Sequence, residues 1–148
     1  APLSYVRPLQ RLQQNFFISA NSAAQAGGIA ALQCAGPDVV RMAAVYNERR
    51  RFMIDGLRRL GFGIAVEPTG AFYVFANASH LCHDSYRLAF DILERAHVGV
   101  TPGADFGPRG EGYLRFSYAS SLGNIAEALE RLERYLALLP EGGLPDQA

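Results

Sequence analysis

The chain has 148 residues, of which 49% are hydrophobic and 19% charged, and its formal net charge is zero. That is enough apolar chain for one globular core and too little charge for a disordered segment. Balanced charge gives no ground for nucleic acid or an anionic membrane as partner, and no apolar run approaches the roughly 20 residues a spanning helix needs.

All 14 basic residues are Arg, so no side chain here offers a lysine amine. Chemistry that needs one, such as a Schiff base to a carbonyl cofactor, is beyond this chain alone. Cys34 and Cys82 are distant in sequence and read as free thiols rather than a disulfide framework, which points to the cytoplasm. The N-terminus lacks the order of a signal peptide and an initiator Met, so the chain reads as a processed or excised piece.

In chain order, Pro8 to Gln14 reads as a helix with Pro8 in its first turn. The run Asn15 to Asn21 breaks it. A small-residue helix spans Ala23 to Cys34, and the longest helix spans Val39 to Leu60 and ends at Gly61 and Gly63. Its Arg49, Arg50 and Arg51 read as a solvated face. Ile64 to Glu67 is a strand candidate, Pro68-Thr69-Gly70 a turn, and Ala71 to Ala76 a strongly β-prone strand. Ser85 to Ala96 is an amphipathic helix with Leu88, Phe90, Ile92 and Leu93 inward, and His97 suits its C-terminal dipole. From Val98 follow a short strand, a Pro/Gly-rich loop and a strand over Tyr113 to Tyr118. The last helix buries Ile125, Leu129, Leu132 and Leu136. Helices around two hairpin-like strand groups make an α/β (α+β) sandwich with a short, mostly antiparallel sheet flanked by helices.

The candidate for chemistry is Arg115, a cation between Leu114 and Phe116 on the last strand. Its planar fork matches a carboxylate in a bidentate way. One reading has it receive a substrate carboxylate. The other has it on a solvated face, paired with Glu111 or a helix carboxylate. The glycine-rich run Gly103 to Gly112 has neither dinucleotide nor P-loop spacing and joins strand to strand. His80, Cys82, His83 and Asp84 fit no standard zinc spacing, so no metal is expected. No G-x-S-x-G elbow is present, and Asp84 and Asp105 are too isolated to make a carboxylate pair.

The residues Val98, Val100, Thr101, Pro102, Gly103, Phe106 and Gly107, followed by Gly110-Glu111-Gly112-Tyr113, Arg115-Phe116-Ser117-Tyr118 and Ala119, resemble the C-terminal signature of class I/II aminotransferases. These are pyridoxal-phosphate enzymes of fold type I. Three segments resemble the same family in order: Pro68 to Tyr73, Asn47 to Arg50, and Asn21-Ser22 with Gln25. The resemblance runs from about Ala1 to Leu139. It implies terminal helices of the large domain over residues 1–35, a small domain over 36–140 and a frayed tail over 141–148.

The resemblance also implies roles. Arg115 stands where the family binds the substrate α-carboxylate, and Phe72 falls in the strand that approaches the substrate. Phe16 and Asn21 lie in the segment near the substrate entrance, partly that of the neighbouring subunit. Phe16 and Phe17 replace the second arginine of dicarboxylate-specific members, which tilts the substrate toward neutral or aromatic amino acids. The implied substrates are an amino acid and a 2-oxo acid, and the implied assembly is a homodimer. Pyridoxal 5'-phosphate is expected in the full-length parent and not on this segment alone. The family's Schiff-base lysine lies in a missing N-terminal large domain, so no catalytic residue falls in this segment and the piece alone is expected to be inactive. The alternatives are a non-catalytic association module of the same fold, or a related lyase or decarboxylase.

Overall fold

The computed structural model describes residues 1–144. The chain divides into two compact units, residues 1–42 and the remainder from Ala43 onward. In the first unit lie helices α1 (Leu3–Phe16) and α2 (Ser22–Cys34), neither with a buried residue. Helix α1 starts five residues before Pro8, which therefore sits inside it rather than in its first turn. The Pro8 nitrogen carries no hydrogen, so the Ser4 carbonyl lacks its usual donor, a local cost the helix absorbs. Between the helices Ile18 adopts φ +62°, strained for a β-branched residue.

Helix α3 (Gly36–Arg59) buries Met53, Ile54, Gly56 and Leu57 in its C-terminal half. Three strands follow in the second unit: β1 (Tyr73–Asn77), β2 (Thr101–Pro102) and β3 (Tyr113–Ser117). They form one wholly antiparallel sheet in the order β1-β3-β2. Between β1 and β2 runs α4 (Ser85–Ala96), and α5 (Leu122–Leu136) comes last. The expected small antiparallel sheet with helices is the observed architecture.

Alternation sorts the sheet into two faces. Val74 and Ala76 of β1 and Leu114 and Phe116 of β3 are buried in one cluster. Leu57 of α3, Leu88 and Ile92 of α4, and Ile125, Leu129 and Leu132 of α5 join them. Each buried Leu, Ile or Phe stabilises by about 1.5–3 kcal/mol before the entropy of ordering is counted. Gly56 lets α3 and α5 approach, since a Cβ there would lie 2.3 Å from Leu129. Tyr73, Phe75, Tyr113 and Arg115 fall on the opposite, half-buried face.

Several expected elements are shifted. Ile64 to Glu67 is not a strand: only Gly63 bridges to Asn77, exchanging two hydrogen bonds of 2.9 and 2.7 Å. Glu67 instead accepts from Arg58 at 2.7 Å and stands 3.6 Å from Arg50, so part of the basic cluster is paired rather than merely solvated. Arg58 foremost holds the Glu67 carboxyl below its ordinary value. The first strand begins at Tyr73 because Ala71 is left-handed, with φ +60°. The inward face of α4 is Leu88, Ala89, Ile92 and Ala96, while Phe90 and Leu93 are exposed. A helical period places position 90 well away from 88 and 92. Of the expected tail, residues 145–148 lie outside the described residues. Before them, Leu144 donates its N–H to the Leu81 carbonyl at 2.7 Å.

Candidate carboxylate site

Register places Arg115 at the centre of the half-buried sheet face. Its cross-strand partners are Phe75 on β1 and Thr101 on β2. The guanidinium Nη2 donates to Thr101 Oγ1 at 3.1 Å. Two rings border it: the Tyr73 centroid lies 5.3 Å from Cζ and that of Phe106 lies 5.0 Å. A cation–π contact contributes about 0.5–2 kcal/mol, depending on desolvation. Phe75 supports this wall, edge-on to Phe106 at 5.8 Å and stacked on Tyr113 at 5.0 Å.

What Arg115 lacks is a counter-charge. Among the described residues it forms no ion pair, and its buried Nε finds no acceptor. Buried donors are nearly always satisfied, so an orphan at the base of a guanidinium needs explanation. The alternative pairing with Glu111 is not observed. Glu111 Oε1 accepts from the Ser85 N–H at 2.6 Å and from the Gly112 N–H at 3.2 Å. The Ser85 backbone bond foremost holds its carboxyl below the ordinary value.

The loop from Gly103 to Gly112 contains two 3₁₀ turns, Gly103–Phe106 and Pro108–Gly110. Its glycines serve a backbone contact. A Cβ on Gly103 would lie 1.9 Å from the Gly110 carbonyl, and one on Gly110 would lie 2.1 Å from that of Gly103. The strand before the loop is shorter than its Val98 start suggests, since pairing with β3 covers only Thr101 and Pro102.

Phe72 lies just before β1 and is 47% exposed, with its ring 5.6 Å from that of Tyr73. It thus borders the wall beside Arg115. Tyr118 holds the preceding turn: its hydroxyl donates toward the Gly70 and Ala71 carbonyls at 3.3 and 3.2 Å, and its N–H donates to the Phe72 carbonyl at 2.8 Å. Burial pushes the Tyr118 phenol up. Phe16 and Asn21 belong to the first unit. Phe16 ends α1 and is 74% exposed, and Asn21 caps α2 by accepting from Ala23 and Ala24 at 2.8 and 3.4 Å. The roles of Tyr73, Phe106, Thr101 and Tyr118 escape a reading of residue types; strand register could have found Tyr73 and Thr101, while Phe106 reaches Arg115 from the loop. Among the described residues no three His, Cys, Asp or Glu gather as a metal site.

The family model for aminotransferase class I and II matches residues 4–132. An aspartate aminotransferase of Pyrococcus horikoshii is 39% identical over 139 residues, covering 92% of this chain and 35% of its own length. A crystal structure from Methanococcus jannaschii, described as similar in its active site to kynurenine aminotransferases, superposes with a TM-score of 0.81 at 34% identity. That match covers 90% of this chain and 35% of the other. An aminotransferase structure from Mycobacterium tuberculosis gives a TM-score of 0.82 at 33% identity, covering 93% and 36%. The chain therefore spans about a third of the length of the relatives it matches.

Proposed function

Because the chain belongs to the aminotransferases of class I and II, we propose that it supplies the substrate-carboxylate site of a longer enzyme. That enzyme transfers an amino group between an amino acid and a 2-oxo acid. The observation that carries this reading is the half-buried Arg115 guanidinium, which has no carboxylate partner among the described residues. Amino acid and oxo acid both present a planar carboxylate that a guanidinium fork can take in two parallel bonds. Thr101 Oγ1 fixes one arm of the fork. Tyr73 and Phe106 shield it, which strengthens a charge-assisted bond relative to open water. Phe72 would border the bound ligand, and Phe16 and Asn21 would line its approach in the assembled enzyme. The Phe16-Phe17 pair, where an arginine would select a second carboxylate, supports a neutral or aromatic amino acid.

The family implies pyridoxal phosphate in full-length aminotransferases, where it supplies an electron sink for the carbon that gives up a proton. This chain does not fit its attachment, because none of its side chains is a lysine. The equivalent of the relatives' other two-thirds would provide that amine, and the assembled enzyme would be a homodimer. The free thiols Cys34 and Cys82 support a cytoplasmic location.

The test is kinetic. In the full-length enzyme, Arg115→Ala is expected to lower kcat/KM for the amino acid by about 1.5 to 3.5 powers of ten, the roughly 2–5 kcal/mol lost when a desolvated charge partner is removed. Cofactor affinity should hold. Equal losses of both, or no loss of either, would sink the assignment.

A further inference from the structure

We propose that Ser85 and Glu111 form a clamp that positions Arg115, a proposal that rests on reading Arg115 as the carboxylate receptor. Both ends of the Gly103–Gly112 loop converge on Ser85, the first residue of α4 and only 1% exposed. The Ala104 N–H donates to Ser85 Oγ at 3.2 Å. The Ser85 N–H donates to Glu111 Oε1 at 2.6 Å. Tyr86 adds a hydroxyl bond to the Asp105 carboxylate.

Phe106 lies between the two clamped ends, and its ring stands 5.0 Å from Arg115 Cζ. Phe106 meets Phe75 edge-on at 5.8 Å yet stays 52% exposed, so apolar packing holds it on one side only. The hydrogen bonds to α4 and the Gly103–Gly110 contact fix the loop backbone that carries it. Glu111 also satisfies one of the N–H groups left open at the start of α4. A helix cap alone would use that bond and nothing more. The additional link through Ser85 Oγ to Ala104 is what ties the cap to the wall over Arg115. Ser85 and Glu111 touch no substrate in this scheme and act through Phe106.

The readout is the Arg115 Nε–H signal in 1H–15N spectra of the 148-residue chain, assigned by its loss in Arg115→Lys. Solvent exchange of that proton reports how firmly the guanidinium is held. Glu111→Ala removes the acceptor of both the Ser85 and Gly112 N–H groups and is expected to speed exchange at least about tenfold, the low end for a lost hydrogen bond to a charged group. Glu111→Gln keeps the Oε1 acceptor and should stay near wild type. Ser121→Ala removes the cap of α5, where Ser121 Oγ accepts from the Asn124 N–H at 3.1 Å. It should leave Arg115 exchange unchanged.

Unaltered exchange in Glu111→Ala, or an equal rise in Ser121→Ala, would overturn the clamp. If Glu111→Ala does not fold, Ser85→Ala, which cuts the Ala104 link and takes the hydroxyl away from Glu111, carries the same expected rise and the same refutation. Addition of benzoate to the wild type separates the two ideas. An Arg115 signal indifferent to benzoate counts against the carboxylate reading, while the exchange comparison still decides the clamp.

Discussion

Arg115 and Phe116 are adjacent and have opposite surroundings. Phe116 is 4% exposed in the core, while Arg115 faces Phe75 and Thr101 on the other side of the sheet. A slip of one residue in the β1–β3 register would bury the guanidinium beside Val74 and Ala76 and turn Leu114 and Phe116 outward, so the hydrophobic pattern that builds the core also orients the cation. Tyr118 does comparable work at the neighbouring turn, where Ala71 sits at φ +60°. Tyr118→Phe keeps the packing but removes the hydroxyl bonds to the Gly70 and Ala71 carbonyls. It is expected to cost about 1 kcal/mol, read as a lower urea midpoint with an unchanged slope. A steeper or shallower slope would mean that the denatured or native ensemble had changed instead.

Among the elements, α4 and α5 are joined by Tyr135, whose hydroxyl donates to Asp91 Oδ2 at 2.6 Å. Burial foremost, then Asp91, raises the phenol well above its ordinary 10.0. The folded state thus favours the neutral phenol. Its contribution is complete below pH 10 and is lost as pH rises from there toward the folded value. The chain has no lysine, so no amine side chain titrates alongside this phenol. Tyr135→Phe should cost about 1 kcal/mol at neutral pH and flatten the fall in stability above pH 10. Parallel alkaline curves for wild type and variant would refute the linkage. The inward face of α4 shows the limit of reading such elements alone. Phe90 and Leu93 are as apolar as Leu88 and Ile92, and the phase of the helix against the sheet selects among them.

For the whole molecule, the two units differ in what holds them. Helices α1 and α2 have 14 and 13 residues and bury none of them. Helices of that length are marginal in water without a packed face. Amides of residues 3–34 are therefore expected to exchange much faster than those of α4 and α5 in the 148-residue chain. Equal protection would mean that the first unit is stabilised by burial after all. The chain is also expected to show no transaminase turnover on its own with added pyridoxal phosphate, because it has no lysine to act on the substrate carbon. Turnover by the purified chain would overturn that.

By itself the sequence determined the class of the fold, the family and the residue to watch. Local pattern suffices for these: alternation marks β1 and β3, a helical period marks α4 and α5, and Thr101-Pro102-Gly103 with Gly112-Tyr113 and Arg115-Phe116-Ser117 is a local motif. The lysine-free composition equally bounded the chemistry without coordinates. Only the tertiary structure decided whether Arg115 had a partner. Glu111 is nearby in sequence, yet its carboxylate is committed to Ser85, 26 residues away, and leaves the guanidinium without a counter-charge among the described residues. Likewise Phe106 and Tyr73 meet Arg115 across strand and loop contacts that no local spacing encodes. The physical reason is that partner choice for a charge is settled by competition among distant groups, whereas strand and helix patterning is settled by neighbours.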